Sequence, residues 1–291
     1  MKILVVGDPI IDRYTFANIN RMSPEDDTVP ILDVVNEKIV LGGCLNVALN
    51  LKSLNPQNDI FVAAPMSGWT IEKLIDMNVG NAIEQMFNYW LFEQPSAEEM
   101  IKNRFIDAKT NKQVVRVDNK LKFNEKTIKK FKKAFSHVVV DNFDCVVVSD
   151  YAKGCIDWSI VNKLKSIGCP IFVDTKQKDL SMWKDLGNVM VKVNEKEFLF
   201  SEHSKQIKNL IVTHGQNPVQ LRKYDQLVKS FEVHPVEQAN VIGCGDVFLA
   251  GLVIEYLRSE DLEKSIKFAC LAAEKSCLKQ GTCVIGEEEM K

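Results

Sequence analysis

In the stretch Asn240-Val241-Ile242-Gly243-Cys244-Gly245-Asp246-Val247-Phe248, two glycines flank one small residue, an acid follows, and a helical apolar pattern continues over residues 244–258. Glycine lets a backbone approach a ligand closely. The first turn of a helix presents N–H groups without intrahelical partners, which suits an anion. An acid in that turn stands beside the bound anion. The combination fits phosphoryl transfer: the amides of Gly243, Cys244 and Gly245 stabilise the phosphate, and Asp246 takes the proton of an attacking hydroxyl. The same residues also fit a turn followed by an ordinary, dipole-stabilised helix acid.

Outward from this stretch, a second long helical pattern covers residues 261–279. Upstream, short apolar runs at residues 3–6, 60–64, 145–148, 171–173, 189–193 and 210–213 alternate with helical patterns near 43–54, 124–136, 158–167 and 195–201. Runs that short and that apolar suit strands buried on both faces, and alternation of β with α implies a parallel sheet flanked by helices. No repeat or Pro/Gly/Ser-rich linker divides the 291 residues, so one domain over 1–291 is expected. Two segments break the rhythm. Residues 14–35 contain Pro24 and Pro30, and residues 103–118 read as a hairpin around Lys109-Thr110-Asn111-Lys112. Both are expected in a small extra sheet. Residues 66–100, with Trp69, Met77, Met86, Phe87, Tyr89 and Trp90, read as a packed helix face.

Composition narrows the class. Apolar residues are 46% and charged residues 26%, which excludes a disordered or fibrous chain. Lys plus Arg is 37 against 39 Asp plus Glu, which argues against a nucleic-acid-coating protein. No run approaches the roughly 20 apolar residues of a membrane span, and the opening lacks the pattern of a signal peptide. A cytoplasmic protein is expected. The eight cysteines form no C-x-x-C pair and read as free thiols in a reducing compartment.

Further candidates follow the apolar runs, where parallel sheets bind ligands beyond the strand ends. Asp12, after the first run, is placed to hold sugar hydroxyls and fits a solvated loop acid equally well. Gly42 and Gly43 open a helix; they either make room for a substrate to which Asn46 donates or mark a helix entry with a buried, satisfied Asn. Asn194 and Glu197 share a helix face and could orient a hydrated Mg²⁺; they also fit a helix cap. Ser149-Asp150-Tyr151-Ala152-Lys153-Gly154 and Val173-Asp174-Thr175-Lys176 follow two further runs.

Taken together, G-x-G-D, the earlier Gly42-Gly43-x-x-Asn46 and the intervening Asn194-x-x-Glu197 resemble the ribokinase-like, or phosphofructokinase-B, sugar kinases in order and spacing. Gly7-Asp8, Asp12-Arg13-Tyr14, Arg21-Met22-Ser23-Pro24-Glu25, the Asp150 and Asp174 motifs and Gly281-Thr282 are most similar to the heptose 7-phosphate kinases of that family. The resemblance implies a three-layer α/β sandwich with a small β lid, with ATP and Mg²⁺ as cofactors. It further implies phosphorylation of the anomeric hydroxyl of a sugar phosphate. Asp246 is then the base. Asn194 and Glu197 position Mg²⁺–ATP through water, Thr213 and Gly215 border the nucleotide, and Asp12, Gly42, Gly43 and Asn46 hold the sugar. Lys153 and Lys176 are candidates for the substrate phosphate, with Lys102, Arg104 and Arg116 beside them. A homodimer paired through the lid is implied, as is a kinase without the nucleotidyltransferase domain that many relatives carry.

The sequence departs from the family pattern at Asn240 and Ile242, where Asp and Thr are usual near a monovalent-cation site. It departs again at Cys244 in the G-A-G-D core, at Cys270 in place of an Asn, and at His214-Gly215-Gln216-Asn217-Pro218 in place of a Gly-rich nucleotide loop. Two alternatives stand beside the heptose reading: another sugar or nucleoside kinase of this fold, and a catalytically weak relative that binds a nucleotide or sugar as a regulator.

Overall fold

Strand β1 (Lys2–Gly7) is buried on both faces: Ile3 and Val5 pack into one apolar cluster, and Leu4 and Val6 into another. The same alternation runs through β8 (Cys145–Asp150), β9 (Ile171–Thr175), β10 (Val189–Asn194) and β11 (Leu210–His214), so both faces of the sheet must be covered. The computed structural model describes residues 1–68, 70, 90–93, 100–119, 122–138, 143–236, 240–279 and 281–291. Among them the main sheet has nine strands in the order β13-β12-β11-β10-β9-β8-β1-β4-β5, with β4 at Asp59–Met66, β5 at Trp90–Glu93, β12 at Asn217–Lys223 and β13 at Gln226–Phe231. It is parallel from β5 to β11.

One face is covered by α1 (Cys44–Leu54), α5 (Cys244–Ser259) and α6 (Leu262–Cys277), the other by α2 (Glu125–Phe135) and α3 (Trp158–Leu164). A short α4 (Glu195–Leu199) follows β10. The result is a three-layer α/β architecture, a largely parallel sheet flanked by helices, as the alternating β and α patterns imply. No helix among the described residues is long and apolar enough to cross a membrane. Of the Met and aromatic cluster expected on a helix face, Trp69, Met77, Met86, Phe87 and Tyr89 lie outside the described residues, and Trp90 instead opens strand β5, paired with β4.

The second sheet has the order β3-β2-β6-β7 among the described residues. Its strands are β2 (Pro9–Met22), β3 (Pro30–Gly43), β6 (Ile101–Asp107) and β7 (Gln113–Asp118). The 103–118 hairpin is present. The first pair is longer than the 14–35 segment: β2 starts one residue after β1 ends, and β3 runs into α1. Pro9 to Asp12 are buried, so the chain leaves the core as strand; Pro24 stands in the turn and Pro30 opens β3.

One hairpin has no counterpart in the sequence expectations. Strands β12 (Asn217–Lys223) and β13 (Gln226–Phe231) join through Tyr224 (φ 46°) and Asp225 (φ 72°), both left-handed, and extend the sheet antiparallel beyond β11. Such a two-residue turn usually announces itself by Asn-Gly or Asp-Gly. Here Tyr-Asp conceals it.

Candidate active site

Because β1, β8, β9, β10 and β11 run parallel, their carboxyl ends share one edge of the sheet, the ordinary place for a ligand. Asp8, just after β1, is buried and accepts N–H bonds from Tyr151 (2.8 Å), Lys153 (3.1 Å) and Cys155 (3.3 Å). Asp150 accepts from Ala152 N (2.9 Å), Thr175 Oγ1 (2.8 Å) and Gln177 Nε2 (2.7 Å). Burial, reinforced by nearby Asp8, lifts the Asp150 carboxyl to about 7. These two acids hold the 150–155 loop, and that loop delivers Tyr151.

The loop brings the Tyr151 hydroxyl to Asp246, to which it donates at 2.8 Å. Asn46, in the first turn of α1, donates to the other Asp246 oxygen at 2.9 Å. Asp246 is itself in the first turn of α5 and 3% exposed. The helix begins at Gly243, whose φ of 81° is left-handed, and no side chain caps it. Its leading amides are therefore left for a ligand. Beside them, Lys192 from β10 pairs with Asp174 from β9 at 2.7 Å, both buried. A side-chain carbon at Gly245 would stand 3.0 Å from Lys192 Nζ, which sets the ammonium against the start of α5. Lys176 Nζ lies 3.9 Å from the centre of the Tyr151 ring and Lys102 Nζ, from the lid, 4.9 Å from it. Burial draws the Lys102 ammonium down, against the pull of Asp12.

Tyr151, Asp174, Lys176, Lys192 and Asp246 border a cavity of about 420 Å³. Gly243, Gly245, Asn194, Glu197, Thr213, Gly215, Val219 and Phe248 also line it. A lining that joins charged groups to apolar ones suits a nucleotide, which carries phosphates and a base.

The pfkB family carbohydrate kinase profile matches residues 111–289, more than half of the chain. The chain belongs to the pfkB family of carbohydrate kinases. Members transfer a phosphoryl group from ATP to a sugar hydroxyl, and this pfkB kinase is an enzyme of that class. It is 28% identical to the bifunctional protein HldE of Hydrogenovibrio crunogenus, over 100% of this chain and 62% of that protein. It is 30% identical to HldE of Helicobacter hepaticus, over 99% of this chain and 63% of that protein. The chain thus spans about three fifths of the length of these curated relatives. Among solved structures, ribokinase from Thermotoga maritima superposes with a TM-score of 0.73 at 16% identity, covering 99% of this chain and 97% of that one. Phosphofructokinase-2 from Escherichia coli in complex with potassium gives 0.74 at 17% identity, covering 99% and 96%. At such identities the likeness shows the fold.

In this pfkB kinase, then, Asp246, Gly243, Cys244, Gly245, Asn194, Glu197, Thr213, Gly215 and Lys176 come together around one cavity. The remaining candidates stand off it. Asp12 is buried and ion-paired with Arg104 at 2.9 Å, and a side chain at Gly42 would come within 2.5 Å of its carboxylate, so this glycine makes room for Asp12. Asn46 is committed to Asp246. Lys153 does not line the cavity, and its backbone N–H serves Asp8. Arg116 pairs with its neighbour Asp118 at 2.9 Å on the outer lid strand. Asn194 and Glu197 form a capping box, each side chain accepting the other's backbone N–H at 2.8 Å. Sequence reasoning assigned no role to Tyr151 or Lys192. A lysine within the otherwise apolar run of β10 was the available signal for the second.

Proposed function

We propose that this kinase moves the γ-phosphoryl group of ATP onto the anomeric hydroxyl of a heptose 7-phosphate. The observation that carries the reading is the set of cations around the base. Lys176 from the sheet and Lys102 from the lid both stand against Tyr151, whose hydroxyl holds Asp246. Two ammonium groups on the substrate side of Asp246 favour an anionic sugar over a neutral one. A sugar bearing a second phosphate brings about two negative charges for them to bind. The HldE relatives support the same choice of substrate.

Asp246 accepts the proton of the sugar hydroxyl, steered by Tyr151 and Asn46. The amides of Gly243, Cys244 and Gly245 bind the transferred phosphoryl oxygens, and Lys192 meets the charge that develops on them. Thr213 and Gly215 border the nucleotide. Asp12, Gly42, Gly43 and Asn46 form the sugar side, with Arg104 holding Asp12 in place. Lys153 and Arg116 are secondary candidates for the distal phosphate. A hydrated Mg²⁺ fits the Glu197 and Asn194 end: the capping box engages one carboxylate oxygen of Glu197, and hard cations take oxygen donors. When bound, the ion would neutralise the phosphate charge of ATP. Eight free cysteines suit a reducing, cytoplasmic setting.

The test is turnover on matched heptoses with and without the 7-phosphate, with ribose and a nucleoside alongside. The phosphorylated heptose should be used at least 100-fold more efficiently, a ratio within the reach of one lost charged contact. Equal efficiency on the matched pair, or preference for ribose or the nucleoside, overturns the heptose reading.

A further inference from the structure

At the start of α5, Cys244 Sγ lies 3.0 Å from Sγ of Cys277, the last residue of α6. Both side chains line the cavity, and both are partly open to solvent. The backbone holds the pair in place. Cys277 O accepts the Asn240 N–H at 3.0 Å, and Asn240 O in turn lies 3.2 Å from Cys244 Sγ. Two thiols at this separation are an oxidation-ready pair that the phosphoryl-transfer chemistry does not use.

We propose that Cys244 and Cys277 form a reversible dithiol–disulfide site on the wall of the nucleotide cavity, whose oxidation by a hydroperoxide shuts the kinase down. Cys277 is the attacking sulfur. The thiol contact from Cys244 draws its pKa down to about 7 while the Cys244 thiol is pushed well up, and a thiolate is the reactive species. The Cys277 thiolate attacks one peroxide oxygen. The O–O bond breaks, the departing oxygen takes a proton and leaves as water (or alcohol), and Cys277 becomes a sulfenic acid. Cys244 sulfur then attacks the Cys277 sulfur. The S–O bond breaks, the hydroxyl leaves with the Cys244 proton as a second water, and the disulfide closes. Each sulfur gives up one electron and the peroxide takes both.

Closure draws the sulfurs together by about 1 Å, since a disulfide bond is about 2.0 Å long. Closure pulls the Cys244 side chain toward Cys277, and the strain that χ1 rotation does not absorb falls on the Cys244 amide, which the proposed function places against the transferred phosphoryl group. The loss of activity rests on that reading; the dithiol chemistry does not. A displacement of about 1 Å in a catalytic constellation costs up to about 100-fold in rate.

The experiment treats the whole reduced protein with hydrogen peroxide and follows two readouts, peptide mapping and kinase turnover. The expected result is a Cys244–Cys277 cross-link, lighter by two hydrogens, formed in parallel with a 10- to 100-fold fall in turnover. Dithiothreitol should reverse both, and bound ATP should slow both. Cys277→Ser should retain its own starting rate through the same treatment. Cys283→Ser should still cross-link, because the Cys283 thiol is directed to the Ser276 carbonyl at 3.6 Å. Absence of the cross-link in an active enzyme overturns the inference alone. So does a cross-link that leaves turnover unchanged, or one that disappears in Cys283→Ser. A protein that cross-links reversibly at Cys244–Cys277 but phosphorylates no sugar supports the dithiol site and overturns the kinase reading of the cavity.

Discussion

Asp246 sits under opposing influences, and their balance bears on its service as a base. Burial is the largest and raises its pKa, with Asp174 adding to the rise, while bonds from Asn46 and Tyr151 and the charge of Lys192 pull it back. The net shift is upward, toward the pH at which a base is useful. Asp246→Asn keeps the size and polarity but cannot take a proton. Turnover should fall by about 10²–10⁴-fold, with unchanged thermal unfolding and ATP affinity; wild-type-like turnover would remove Asp246 from the role. The base must be ionised, so activity is full above its pKa and is lost as the pH falls through it. Tyr151→Phe removes a donor to the charged form and so raises that pKa. It also keeps the ring beneath Lys102 and Lys176. The acid limb of the kcat profile should therefore move to higher pH, and a limb that stays in place would separate Tyr151 from the base.

At the scale of the element, the proposed chemistry rests on helix starts. The entry to α5 is uncapped and leaves amides for an anion, whereas the entry to α4 is closed by its capping box. Just before α5, Asn240 Oδ1 accepts the Ile242 N–H at 3.1 Å in a local turn. Neither residue offers a charged oxygen, and Ile242 offers no side-chain oxygen at all. Hard cations need oxygen donors, preferably charged. Kinase assays should show an absolute requirement for Mg²⁺ and little activation by K⁺. Strong, saturable activation by K⁺ in a titration at constant ionic strength would contradict this assignment of the turn.

For the whole molecule, the lid is the part least finished by its own chain. Its outer strands β3 and β7 expose Val34, Val35, Val114, Val115 and Val117, each more than two fifths open to solvent. Free strand edges with apolar side chains invite pairing. The proposed homodimer would bury these edges against a second copy and set each lid over its sugar site. Light scattering at working concentration should give a dimer. Replacing Val115 and Val117 by Lys should release monomers that still unfold cooperatively. A monomeric parent protein would overturn the lid-to-lid arrangement.

Composition and periodicity alone determined the layered α/β fold. Apolar runs of three to five residues suit strands covered on both sides, and the helical patterns between them supply the cover. The Gly243-Cys244-Gly245-Asp246 stretch likewise carries its meaning locally, because a glycine-led helix start with an acid in its first turn is a short-range feature. What surrounds Asp246 is not local. Asn46 lies 200 positions away and Tyr151 lies 95 away, and they meet it only because parallel strands bring their ends to one edge. Lys192 can stand in an otherwise apolar strand because Asp174, on the neighbouring strand, neutralises it. The β12–β13 hairpin stayed hidden because Tyr224 and Asp225 take left-handed conformations that neither residue advertises. The Cys244–Cys277 contact joins two helices whose sequence separation carries no signal of it. Spacing along the chain records only what neighbours impose on each other, and these pairings are imposed by how the layers pack.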